Sequence, residues 1–231
     1  MMLRPSIMTG VCDMIKPIML RLNPGSARGL VAGLALMVVF AAFPGFAGEA
    51  KPPTALNTPY LAGQLLVATQ KIKDPRFAKT VIYMVRHDKT GALGLIVNRV
   101  YGSGPIEEFL KGFNIDAADI GGDIQLHYGG PVAPGAGFIL HTADYNGPGT
   151  HVVDDRVAMT TERSVLKAIS EGHGPRLSLF AFGYAGWGAG QLEGEIKRGD
   201  WFSTPADEEL IFGEDQNGKW DHASGKAGLK L

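Results

Sequence analysis

The chain has 231 residues, with 22 Lys and Arg against 23 Asp and Glu, a formal net charge of −1. Near-neutrality excludes a nucleic-acid binder that works through a broad phosphate-neutralising surface. Apolar residues at 45% and charged residues at 19% exclude disorder over most of the length, and 32 glycines, about twice ordinary usage, predict a fold with many tight turns.

Leu30 to Phe43 is an unbroken apolar run of 14 residues within the uncharged stretch Gly29–Gly48. Arg4, Lys16, Arg21 and Arg28 precede it, and Gly45-Phe46-Ala47 follow. A positive region, an apolar region and a small-x-small site are the parts of a secretory signal, cut best after Ala47 and second best after Ala50. Two alternatives stay open. One is a retained anchor, since the uncharged stretch is about long enough to span a bilayer, although Pro44 and Gly45 shorten its helix. The other is a later start at Met14 or Met19, or a leader that is a gene-start error. Residues 1–47 are therefore read as a signal peptide or hydrophobic leader, 48–60 as a linker and 61–231 as a single domain. A working leader places the domain in the periplasm or outside the cell; otherwise it is cytoplasmic, and membrane contact is expected only through an uncleaved leader. Without the leader, 18 basic and 22 acidic residues remain, a net −4, and Cys12, the only cysteine, is lost. No disulfide, thiol nucleophile or cysteine-based metal site is then expected.

Lys51–Pro59 lacks periodicity and reads as an extended linker. Gln64–Thr69 is short, apolar and partly β-branched, a strand. Asp74-Pro75 marks a turn, because the residue before proline leaves the helical region. Thr80–Arg86 is a strand, Asp88–Gly91 a hairpin loop and Ala92–Asn98 the partner strand. Pro105, at a first helical position, opens a short helix over Ile106–Leu110 that ends near Gly112. Asp123–Tyr128 and Gly137–His141 are strands around the turn Gly129-Gly130-Pro131. Thr161 caps a helix whose Val165, Leu166 and Ile169 share a face, with Gly172 closing it. Arg176–Phe182, apolar on both faces, is a central strand. Gln191–Lys197 is a helix with Leu192 and Ile196 one turn apart. Glu209–Phe212 reads as a last strand, and Trp220 as the anchor of a frayed C-terminal segment. The links between strands are too short for most parallel crossovers, which predicts an α+β domain on a mixed, largely antiparallel sheet.

The richest stretch for chemistry is Phe182–Ile196. A glycine-rich loop that leaves a strand and opens a helix can present N–H groups to an anion, with Tyr184 or Trp187 as a stacking wall; the same glycines can equally make a sharp turn with Trp187 plugging the core. No Lys-Ser/Thr follows them, so this is no P-loop. Gln191 and Glu195 share a helix face and can line a cleft, or simply face solvent. His127 and His141 end apolar strands and are placed to face each other across a hairpin, with Asp144 as the nearest third ligand, but no metal-binding spacing occurs. Asn98-Arg99 closes an apolar strand; the pair either holds local backbone or recognises a carboxylate or phosphate. No serine lies in a G-x-S-x-G elbow.

Taken together the segments resemble the YqgE/AlgH family. The resemblance rests on ordered blocks: Leu61–Leu66, Asp74–Phe77 with Thr80-Val81, Gly91–Arg99, Gly129–Val132, and Gly183–Glu193 leading to Glu195-Ile196 and Trp201. It implies an α+β fold whose bifurcated sheet curls into a pseudo-barrel with flanking helices, and no agreed catalytic mechanism. The family's name points to control of alginate synthesis, a regulatory role; no helix-turn-helix signature accompanies it here. Two departures stand out: Val100 replaces the proline usual after Asn-Arg, and members generally lack a leader. The expected function is a non-catalytic binding or regulatory module without cofactor or metal, whose partner is a protein or a small anionic ligand, with Gly129, Gly130 and His141 added to the candidate residues above. The alternative is an enzyme, a hydrolase or transferase using His127 or His141 as general base. Nucleic acid is opposed by the net −4.

Overall fold

Segments apolar at every position, such as Leu65–Ala68 and Val81–Val85, cannot leave either side in water, so the strands they form must be covered on both faces. In the computed structural model, which describes residues 60–116 and 120–227, all nine of these residues are buried. They lie in strands β1 (Gln64–Ala68) and β2 (Val81–Asp88), followed by β3 (Gly91–Ile96), β4 (Val100–Pro105), helix α1 (Ile106–Lys111), β5 (Asp123–Tyr128), β6 (Val132–Thr142), β7 (Thr150–Val152) and β8 (Val157–Thr160). Then come α2 (Ser164–Ser170), β9 (Ser178–Gly188), α3 (Gln191–Lys197), β10 (Trp201–Pro205), α4 (Glu208–Phe212) and α5 (Lys219–Lys226). The leader and the linker, Tyr60 apart, lie outside the described residues.

The ten strands form one mixed sheet in the order β10-β1-β2-β3-β9-β6-β8-β7, with β4 and β5 on a branch. The fold is α+β, its sheet curled into a half-barrel. β9 is the trunk. β6 runs antiparallel along one of its edges. On the other edge β5 pairs in parallel with Phe180–Phe182, and β3 pairs antiparallel with Ala185–Gly188. The sheet therefore forks at residues 183–184. Gly129 sits in the fork, its N–H donating to the Phe182 carbonyl (2.8 Å) while its own carbonyl accepts from the Ile96 N–H (3.0 Å).

Gly183 makes the fork possible. Its φ is +71°, and a Cβ there would lie 2.3 Å from the Gly130 oxygen. The bend also resets the strand's alternation. Leu179 and Ala181 belong to the inner core, and Tyr184 packs against it, whereas Ala185 and Trp187 enter a separate core with Leu192 of α3. Without the reset, positions 185 and 187 would follow 179 and 181 inward. The inner core collects side chains from β1, β2, β3, β6, β8 and β9 and is closed by Leu210, Ile211, Trp220 and Ala223 of α4 and α5. A third core lies under α1 and α2.

Several expectations are corrected. Glu209–Phe212 is helical: the Asp207 carboxylate accepts from the Leu210 N–H (2.8 Å) as an N-cap, and Glu208 and Glu209 occupy the first turn, where acidic side chains offset the helix dipole. The glycine-rich stretch is not a loop but the continuation of β9 as far as Gly188. β5 and β6 do not form a hairpin; each pairs with β9, on opposite edges. The Gly/Ser segment after Arg99 is strand β4, and β7, β8 and β10 were not foreseen. Arg163, not Thr161, stands at the N-cap position of α2, and its side chain makes no capping hydrogen bond. The C-terminal segment is helix α5, in which the Trp220 indole N–H donates to the Ala68 carbonyl (2.8 Å).

Candidate functional site

Resetting β9 at Gly183 places Trp187 beside the first turn of α3, and the chain then returns through β10 to set Trp201 against it. The two indoles meet edge to face at 6.0 Å, and Phe77, from the β1–β2 connection, meets Trp201 in the same way at 6.0 Å. These three rings, with Ile72, Pro131 and Gly186, wall a cleft of about 360 Å³ open to solvent on one side. Its polar lining is Asp74, Gln191, Glu195, Arg198 and Asp200.

Glu195 organises the cleft. Its Oε2 accepts from the indole N–H of both Trp187 and Trp201, each at 2.8 Å, and its Oε1 accepts from the Gln191 amide at 2.9 Å. Gln191 is fixed in turn, its Oε1 accepting from the Gly188 N–H (3.1 Å). Helical spacing of four residues puts Gln191 and Glu195 on one face, while Leu192 faces the core. The other two carboxylates are paired with cations: Asp74 with Arg76 (2.6 Å) and Asp200 with Arg198 (2.9 Å). The hydrogen bonds from Arg76 hold the Asp74 carboxyl below its ordinary pKa.

Of the residues singled out from the sequence, the structure brings Trp187, Gln191 and Glu195 together here. The rest lie elsewhere. Asn98 spends its amide on backbone, accepting from the Val81 N–H (2.8 Å) and donating to the Lys79 carbonyl (2.9 Å), and Arg99 donates to the Ala78 carbonyl (2.5 Å). Gly129 and Gly130 serve the fork, where a Cβ on Gly130 would lie 2.1 Å from the Tyr184 carbonyl carbon. Tyr184 packs edge to face on Phe138 (5.7 Å) at the inner core.

His141 is fully buried, with Nδ1 2.8 Å from the Thr142 carbonyl, and burial pushes its pKa down. His127 is buried too, and burial, then the charge of Lys219, pushes it down to about 4. The two imidazoles do not face each other: β9 runs between them, with His127 beside Ala181 on one edge and His141 beside Ser178 on the other. Asp144 accepts instead from the Thr142 hydroxyl (2.5 Å) and the Arg176 N–H (3.1 Å). Among the described residues no group of three His, Cys, Asp or Glu side chains is placed to hold a metal ion. Lys219 is buried, donating to the carbonyls of Val97 (3.0 Å) and Ile211 (2.9 Å), and burial pushes its pKa down to about 8.

Phe77, Trp201, Arg198 and Asp200 were not singled out as candidate site residues. Phe77 comes from the β1–β2 connection, Arg198 and Asp200 from the α3–β10 connection and Trp201 from the start of β10, and no spacing rule links them to Trp187.

The curled, forked α+β sheet defines the class, and the comparisons identify it. A family model described as AlgH-like matches residues 65–231. The chain belongs to this AlgH-like family. It is 47% identical over 170 residues to a UPF0301 protein of Methylococcus capsulatus, covering 74% of this chain and 93% of that one. A UPF0301 protein of Rhodospirillum rubrum is 42% identical over 170 residues, covering 74% and 88%. Among solved structures, the AlgH protein of Pseudomonas aeruginosa superposes with a TM-score of 0.62 at 35% identity, covering 79% of this chain and 95% of that one. A Corynebacterium diphtheriae protein, at 21% identity and a TM-score of 0.56 over 73% of this chain and 87% of that one, shares the fold. The family is uncharacterised in function.

Proposed function

We propose that this chain is a non-catalytic binding module whose ligand is held in the cleft between Trp187, Trp201 and Phe77. One observation carries the reading: a half-buried carboxylate, Glu195, is fixed by three N–H donors in the lining of an aromatic cleft. Such an arrangement pre-positions a polar group within apolar walls, the common form of a ligand pocket. Reactive pairing is missing from it. Glu195 has no nucleophile or imidazole beside it in the lining, and the two histidines favoured as general bases are buried elsewhere with lowered proton affinity. The occupant is a small molecule or a side chain of a partner protein.

Thermal-shift screening tests this. Gln191 is exposed, so Gln191→Trp fills the cleft without touching the core. Compounds that stabilise the wild type are expected to lose their effect in this variant and to be recovered chemically unchanged. Hits that survive Gln191→Trp, or multiple turnovers of a bound compound, would contradict the reading.

A further inference from the structure

Resting on that reading of the cleft as the binding site, we propose that its ligand group is cationic: an alkylammonium or alkylguanidinium, anchored by Glu195, with its carbon stem against the indoles. A carboxylate offers about four acceptor positions. Three are filled, two on Oε2 and one on Oε1, which leaves one on Oε1, the oxygen shared with rim residue Gln191. The donors already present are an amide and two indoles, all uncharged, so the negative charge of Glu195 has no cation on it. Asp74 and Asp200 are different, each closed by its own arginine.

The walls suit the same ligand. Trp187, Trp201 and Phe77 line the cleft with aromatic surface, and aromatic rings attract ammonium and guanidinium groups. Ile72 and Pro131 complete an apolar lining for the stem, in the way that long basic side chains lay their methylenes on apolar surface. An anion, expected from the glycine-rich stretch, meets the opposite conditions. The Gly188 N–H is already given to Gln191, Arg198 is held by Asp200 through Nε (3.1 Å) and Nη2 (2.9 Å), and three carboxylates line the approach.

The two indole N–H groups report directly on Glu195, so the test is nitrogen-15 NMR of the purified protein. The probes are n-butylammonium, n-butylguanidinium, butyrate and n-butanol. Both cations are expected to move the Trp187 and Trp201 indole signals saturably, with affinity about tenfold weaker in Glu195→Gln, which keeps an oxygen for the two indoles but removes the charge. Butyrate or butanol moving these signals in place of the cations would overturn the cationic assignment and leave the cleft reading standing. Silence of both signals under all four probes would overturn both. Two further arms separate the sources: tighter binding of a blocked Ala-Arg-Ala peptide than of spermidine supports a protein side chain as the ligand, and the reverse supports a free amine.

Discussion

At the scale of single residues, the same side-chain types do different work according to what surrounds them. Glu195 and Glu193 sit two apart on α3. Glu193 reaches the buried ring of His87, with 3.2 Å between Oε1 and Nε2, tying the helix to β2, whereas Glu195 turns to the indoles. Replacing Glu195 with alanine would strand two indole donors, so glutamine is the informative change. His127 carries a second argument. In the unfolded chain it titrates at its ordinary 6.5, in the fold at about 4. Between those values the unfolded chain holds the extra proton, so the stability that goes with a neutral buried ring is complete above about pH 6.5 and is lost as pH falls toward 4. By pH 5 the loss amounts to about 2 kcal/mol. Urea denaturation at pH 7 and pH 5 is expected to show a lower midpoint at pH 5, with much of the difference gone in His127→Gln. Equal midpoints at the two pH values would mean that this ring is not held neutral.

At the scale of elements, the fork of the sheet depends on a few backbone positions. Gly183 and Gly172 have nearly the same φ, +71° and +72°, but a Cβ on Gly172 meets nothing within 4 Å while one on Gly183 would overlap the Gly130 oxygen. Gly172→Ala is therefore expected to cost about 1 kcal/mol, the price of the left-handed conformation alone. Gly183→Ala should cost more than about 3 kcal/mol, because the Gly130–Val132 segment must also move away from β9. Chemical denaturation of the pair measures this, and equal costs would show that the close approach is not needed. The elements legible in the sequence were those buried on both faces. Leu65–Ala68 of β1, Val81–Val85 of β2, β3 and Leu179–Ala181 of β9 read as apolar runs because each of these positions is buried. The half-exposed ones were silent: β4, with sequence VYGSGP and no fully buried residue, has the composition of a loop. In α4 the residues ELIF are too few to show a period, and the helix-start signal is Asp207 followed by two glutamates.

At the scale of the whole molecule, the site was legible in part for a similar reason. Gln191 and Glu195 lie one helical turn apart, so local geometry placed them on one face, and Trp187 is near enough in sequence to join them. Trp201, Phe77 and Asp74 arrive through pairings between β1 and β10 and through the connection after β1, contacts that only the closed fold creates. The histidines misled because chain order suggested a hairpin, whereas the parallel insertion of β5 beside β9 put a strand between them. The glycine-rich stretch reads in sequence as an anion cradle, whereas in the fold its N–H groups serve the sheet and the Gln191 side chain.

The most direct test of the account is a crystal structure of the protein grown with n-butylguanidinium. The account predicts the guanidinium within about 3 Å of Glu195 Oε1, its stem lying against the indoles on the cleft side, and both indole N–H bonds to Oε2 intact. A guanidinium bound elsewhere, or Glu195 turned away from the indoles to pair with Arg198, would contradict it.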